Sequence, residues 1–382
     1  MQKCQLILNH GVAAGDIPFA VAMTASANRV QWSGAAGNAG LAGAATENTI
    51  FRIYSMTKAI ASTAAIMLVD RGKLQLDTPV ETVLPEFGRI KVLEGFDGTT
   101  PRLRAPRTRC TIRHLLTHTS GFVYHVINPD VLKYLEVTGT PDIMTGLNAS
   151  LFSPLVFDPG TDWGYGIGID WVGRVIEAID GRTIDQFCTK EIFEPLGMRN
   201  TTFEVSDSAR KTLASVYTRA ESGDFIEIPF SPPERPEFYG MGGALYSTAP
   251  DYMRFLRSFL QGGALDGERI LSTESIELML DNQTRYLTLS PMTLAIPPVG
   301  LTFEMLPGVP KSHTMGFMRT EDDAPGMRGR GSLGWCGLLN THFWFDPKAS
   351  LAALFMTQVA PLADFRVRST YADFERAVYA GR

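Results

Sequence analysis

Between Ser55 and Val69 the chain is almost continuously Ala, Ile, Met, Leu and Val, and it closes on Asp70-Arg71-Gly72-Lys73. That pattern predicts a helix buried on nearly all sides, with Gly72 as its C-terminal stop and cations at its negative end. Residues 20–36 read differently: two short runs flank Ala27-Asn28-Arg29 and predict a β-hairpin. Strand character returns in Thr341–Phe345 and Leu351–Gln358, on either side of the turn Asp346-Pro347-Lys348. Between these ends, from about residue 71 to 204, Pro-punctuated segments and helical patterns such as Ile169–Ile179 dominate, with little strand alternation. The final segment, about Thr370–Tyr379, has the periodicity of an amphipathic helix. Strands at both ends around a helical middle predict an α+β fold, an antiparallel sheet built from both termini and flanked by helices. The expected domains are a discontinuous sheet domain, 1–70 and 205–382, and a mainly helical domain, 71–204.

Length agrees with two domains, because 382 residues exceed what one hydrophobic core usually organises. With 45% hydrophobic and 20% charged residues the chain has the composition of an ordinary globular protein. Its 35 Lys and Arg against 40 Asp and Glu give a net charge of -5, so no positive field favours nucleic acid or an anionic membrane. A small, roughly neutral molecule is the expected partner, and oligomeric state is left open. Cys4, Cys110, Cys188 and Cys336 are spaced for neither a disulfide framework nor a zinc ribbon, so they read as free thiols. No apolar run has the length of a secretory core or a membrane span, which makes the cytoplasm the default expectation.

The candidate chemistry starts with Ser55-Met56-Thr57-Lys58. A serine hydroxyl is a poor nucleophile at neutral pH and needs a base within hydrogen-bonding reach. Residues three apart on a helix share a face, so Lys58 can present its amine to Ser55. Burial and the positive end of the helix dipole would both pull a lysine pKa down. The Ser55 amide, at the helix N-terminus, is a candidate oxyanion donor. Spacing alone is weak: chance supplies Ser-x-x-Lys roughly once or twice in a chain this long. Ser208-Ala209-Arg210-Lys211 is indeed a second match, but it lies in the polar stretch EVSDSARK, where its lysine would stay solvated.

Ser55-Met56-Thr57-Lys58 at the head of an apolar helix resembles the serine β-lactamase and penicillin-binding-protein superfamily. The stretches Leu76–Val80, Leu84–Phe87, Thr111–Gly121, Pro195–Met198, Gly242–Ala249 and Phe343–Pro347 resemble, in order, blocks of its class C β-lactamase-like branch. In that branch the second motif begins with a tyrosine that moves protons with the lysine, and Tyr165 occupies the matching place. Ile167 stands where β-lactamases carry an Asn amide, which puts recognition of a lactam in doubt. The third motif, Lys-Thr-Gly in β-lactamases, matches Trp335-Cys336-Gly337, similar to the Trp-Gly-Gly of the family VIII carboxylesterases. The resemblance implies Ser55, Lys58 and Tyr165 as catalytic residues. It implies Leu338 as the second backbone oxyanion donor and Trp335, Cys336 and Gly337 as substrate-binding positions, with no cofactor. An indole in place of a cation favours neutral acyl groups over carboxylate-bearing ones. The expected activity is therefore that of a serine carboxylesterase on small neutral esters. The alternatives are a β-lactamase or D-amino-acid peptidase, an acyltransferase, or a non-catalytic sensor of the same fold.

Other readings carry less. His114 and His118 in HLLTH share a helix-face spacing, but the Glu of His-Glu-x-x-His is Leu115 and no third ligand is evident, so no metal is expected. Ser332 in Arg330-Gly331-Ser332-Leu333-Gly334 lacks the first glycine of a nucleophile elbow. Tyr124, His125, Tyr239 and Phe317 are candidates for an acyl pocket, with core or surface roles equally open.

Overall fold

The computed structural model describes residues 2–230, 233, 236–285, 287, 289, 291–295, 302–362 and 364–380. A seven-stranded antiparallel sheet organises them. Its strands are β1 (Phe19–Ala25), β2 (Val30–Gly37), β3 (Lys311–His313), β4 (Met318–Thr320), β5 (Leu333–Gly337), β6 (Thr341–Asp346) and β7 (Leu351–Met356), in the order β3-β4-β5-β6-β7-β1-β2. The two chain ends meet between β1 and β7, with Val21 opposite Met356 and Ala25 opposite Ala352. The helices that matter here are α1 (Gln2–Ala13), α2 (Thr57–Asp70), α3 (Gly168–Asp180), α4 (Ala249–Leu260) and α5 (Phe365–Ala380).

Every residue of β1, β5, β6 and β7 is buried, because helices cover both faces of the sheet. Such strands read as continuous apolar runs rather than an apolar–polar alternation. On one face Ala20, Ala22, Trp344, Ala353 and Phe355 form a core with α1 and α5. On the other, Val21, Met23, Phe343, Phe345 and Leu354 belong to the larger core that holds α2, α3 and α4. Tyr252 and Phe259 of α4 pack their rings on Phe343 and Phe345.

Helix α2 is the predicted buried helix: 12 of its 14 residues are buried, and it packs against α3. Gly72 takes φ +67°, and the Lys73 N–H bonds back to the Leu68 carbonyl at 2.8 Å, so the glycine ends the helix as expected. The start differs by two residues. Ser55 lies in a 3₁₀ turn, Tyr54–Met56, and the α-helix begins at Thr57.

Two elements escape the hydrophobic pattern. A β-hairpin, Val92–Asp97 with Thr100–Arg104, sits inside the stretch expected to be helical; its largely solvent-facing strands carry Glu94, Asp97, Arg102 and Arg104, so no apolar alternation marks it. Helix α1 buries only Cys4, Leu8 and Gly11, a single narrow stripe. All four cysteines are buried and unpaired. Among the described residues no helix is long and apolar enough to cross a membrane.

One charged contact fastens α5 to the sheet. The Arg328 guanidinium, fully buried just before β5, donates to both Glu375 oxygens at 2.7 and 2.8 Å and to the Tyr371 hydroxyl at 2.6 Å. A buried pair of this kind is costly to break one-sidedly, because the surviving charge has no water to replace its partner. Glu375→Ala is expected to lower stability by about 3–5 kcal/mol, read from the midpoint of guanidinium unfolding. The apolar double replacement Arg328→Met with Glu375→Leu is expected to recover most of that loss.

Candidate active site

The Ser55 turn is strained and held from several sides. Tyr54, just before the serine, has φ +43°, a left-handed conformation uncommon for a side chain of that bulk. Three hydrogen bonds hold it: Met56 N–H to the Ile53 carbonyl at 3.1 Å, Ile53 N–H to the Leu245 carbonyl at 3.1 Å, and the Tyr252 hydroxyl to the Met56 carbonyl at 2.9 Å. The end of β5 lies against the same turn. A Cβ on Gly337 would sit 2.4 Å from the Ile53 carbonyl oxygen and 2.3 Å from Thr341 Oγ1, so only glycine allows that approach.

Lys58 follows one turn along, almost wholly buried. Its Nζ is 3.1 Å from Ser55 Oγ and donates to the Gly242 carbonyl at 2.6 Å. Desolvation pulls its pKa down to about 8, against the opposing pull of Asp170 and Cys336. The Tyr165 ring lies 4.8 Å from the amine and the Tyr124 ring 5.2 Å. The Tyr165 hydroxyl accepts from the Trp335 indole N–H at 3.1 Å and hydrogen-bonds Ser55. Burial pushes that phenol well above its ordinary range while these two bonds pull it back, so it keeps its proton at neutral pH.

Ser55, Lys58, Tyr165 and Trp335, chosen from three separate stretches of sequence, thus form one connected group. It opens on a cleft of about 1160 Å³ walled by Tyr54, Tyr124, Phe203, Phe238, Tyr239 and Tyr246, with Leu338 at the rim. Cys336 is buried beside Trp335, its thiol pushed up to about 12 by desolvation, which suits packing rather than reaction. Tyr124, His125 and Tyr239 line the cleft, whereas Phe317 packs in the core against Phe259, Phe343 and Phe345. The other Ser-x-x-Lys is exposed: Ser208 Oγ meets only Ser206 Oγ among the described side chains, and Lys211 faces solvent.

The sequence model for the family described as Beta-lactamase matches residues 5–377. The chain belongs to the beta-lactamase family. Among its relatives, monacolin J acid methylbutanoyltransferase of Aspergillus terreus is 29% identical over 350 residues, 87% of this chain and 82% of that one. Lovastatin esterase of Penicillium rubens is 30% identical over 317 residues, 80% and 78% of the two chains. The unliganded structure of simvastatin synthase from Aspergillus terreus superposes with a TM-score of 0.84 at 26% identity, covering 99% of this chain and 97% of that one.

The sequence reading of this beta-lactamase family member missed Asp170. It lies near the start of α3, 2% exposed, and its Oδ1 accepts the Gly242 N–H at 2.8 Å. Its Oδ2 has no hydrogen-bond partner among the described residues, and the side chain lines the cleft. Burial pushes its pKa up to about 6, opposed by Lys58. The available signal was a carboxylate standing between the apolar residues Ile169 and Trp171 near the start of a helix. The two histidines of HLLTH separate. His114 closes a capping box with Thr111, while His118 turns inward with φ +58°, its ring 4.9 Å from that of Tyr165.

Contact between Gly337 and the Ser55 turn generates a direct test. Gly337→Ala is expected to cost about 1–3 kcal/mol of stability and, in a crystal structure, to move Ile53–Ser55 so that Lys58 Nζ loses the Ser55 hydroxyl. An unmoved turn in that variant would contradict the role given to the close approach.

Proposed function

We propose that this family member is a serine carboxylesterase that cleaves small neutral esters through an acyl-enzyme on Ser55. The observation that carries the reading is Ser55 Oγ, in the wall of an aromatic cleft, held 3.1 Å from a dry, weakly basic Lys58. In this reading Ser55 Oγ bonds to the ester carbonyl carbon as Lys58 Nζ takes its proton. The Tyr165 hydroxyl delivers a proton to the leaving alkoxide and is resupplied from Lys58. The backbone N–H groups of Ser55 and Leu338 bind the oxyanion. Water then attacks the acyl-enzyme with the proton transfers reversed, and the carboxylic acid leaves. The steps balance without a cofactor.

Charge in the cleft supports the choice of substrate. Its described lining includes the carboxylates of Asp170 and Glu204 and no Lys or Arg, so a substrate carboxylate would meet repulsion and lose its hydration. That disfavours β-lactams and D-amino-acid peptides, as does Trp335 in the place of a lysine. Buried, apolar Ile167 offers no amide to a lactam. A second reading, transfer of the acyl group to an alcohol, draws support from the size of the cleft and from the methylbutanoyltransferase relative. The acyl-enzyme is the same, and only the acceptor changes. Intact Ser55, Lys58 and Tyr165 argue against a sensor that has lost turnover.

The test is turnover of p-nitrophenyl acetate and butyrate beside a chromogenic cephalosporin, with intact-mass detection of acylation. Ser55→Ala is expected to lose about 10⁴-fold or more in kcat/KM for the esters; ester hydrolysis unchanged in that variant sinks the nucleophile. Faster cephalosporin turnover reverses the substrate ranking, and an alcohol that diverts the acyl group at the expense of hydrolysis establishes the transferase. The neutral lysine is the base, so kcat/KM is expected to rise with pH through a midpoint near the Lys58 value of about 8. Asp170→Asn removes a charge that favours the ammonium form, and its midpoint is expected to move to lower pH.

A further inference from the structure

Beside Lys58 lies a second, much smaller cavity, where the polar groups of Lys58, Ser62, His118 and His313 meet apolar Leu116 and Ile169. It has room for on the order of one water molecule. Ser62 is one helical turn beyond Lys58 on the same face of α2. A helical serine ordinarily bonds the carbonyl four residues back, as Thr63 does to Ala59 at 2.9 Å. Ser62 does not: its Oγ is fully buried and has no partner among the described residues. Across the cavity, His313 donates from Nδ1 to the Thr314 carbonyl at 2.6 Å. That bond fixes the tautomer, and desolvation pulls the ring pKa down to about 4, so Nε2 stays an acceptor at neutral pH. The His118 ring stands 5.1 Å from that of His313, held there by a left-handed backbone.

The amine of Lys58 gives the cavity its purpose. A neutral amine has two N–H bonds and one lone pair, and it is a base for Ser55 only when the lone pair points at Ser55 Oγ. One N–H goes to the Gly242 carbonyl. The other needs an acceptor elsewhere, or the amine rotates and spends part of its time donating to Ser55. We propose that the cavity holds one ordered water that accepts this second N–H and donates to Ser62 Oγ and His313 Nε2, locking the lone pair onto Ser55. Ser62 and His313 are then positioning residues, acting through Lys58. The inference rests on the acyl-enzyme reading given above.

The groups facing Lys58 are Ser55 on its own side, Tyr124 and Tyr165 over its amine, Asp170 of α3, Cys336 of β5, and the two histidines. Removing the water leaves the ammonium form with one acceptor fewer, so Lys58 gives up its proton at lower pH. In the full chain with p-nitrophenyl butyrate, His313→Leu is expected to lower kcat about 10-fold with KM within about twofold. Its ascending pH limb is expected to move down by about half a unit. His313→Gln, whose amide reaches the former position of Nε2, restores most of both. A crystal structure of the unsubstituted protein shows a water within about 3.2 Å of Lys58 Nζ. If His313→Leu does not fold, Ser62→Ala shifts the limb in the same direction by a smaller amount. An unchanged pH limb in these variants, with Ser55→Ala inactive, overturns the cavity and leaves the acyl-enzyme standing. Activity that survives Ser55→Ala overturns the acyl-enzyme itself.

Discussion

Taking the Lys58 amine out of water is unfavourable unless its remaining contacts compensate, and the surroundings of this side chain are arranged around that constraint. Its two hydrogen-bond partners, Ser55 Oγ and the Gly242 carbonyl, are both neutral. A carboxylate bonded directly to it would hold the proton and leave no base at neutral pH. Asp170 is therefore informative by its orientation: it is close enough to oppose the loss of the proton, yet its hydrogen bond goes to the Gly242 N–H. The same residue, Gly242, thus receives the lysine on its carbonyl and the aspartate on its amide. The two opposite charges are coupled through backbone dipoles instead of meeting.

The fold supplies the rigidity this requires. An amine held by two neutral hydrogen bonds and by packing, without a charged partner bonded to it, depends on its helix staying in place. Helix α2 is enclosed along its first twelve residues, Tyr252 of α4 fixes the turn before it, and β5 presses on that turn through a glycine. Strain at Tyr54 persists because the surrounding contacts over-determine it.

Much of this was legible in the sequence because the responsible patterns are local. An uninterrupted apolar stretch gave away α2, and paired short runs revealed β1 with β2 and β6 with β7. Ser55 and Lys58 are separated by one helical turn, so their proximity was readable without a fold. Tyr165 and Trp335 lie more than a hundred residues from them, and only likeness to a family joined them to the pair. Asp170 and His313 escaped notice for a different reason. Nothing about an isolated Asp or His reports what it faces, and both owe their altered acidity to burial that arises only when α3 and β3 close over Lys58. The exposed hairpin at Val92–Arg104 and helix α1 were missed because each buries too little to impose a period on its sequence.

The sheet divides the interior into two cores that share few side chains. The smaller one, beneath α1 and α5, adjoins the Arg328–Glu375 pair, while the larger one on the opposite face carries Ser55, Lys58 and the cleft. Substitutions that repack the first reach the second only through the strands between them, whereas Phe203 and Phe238 of the cleft wall belong to the larger core, so replacing either costs stability as well as reshaping the cleft. Changes meant to stabilise the chain without reaching the substrate therefore belong on the α1–α5 side of the sheet.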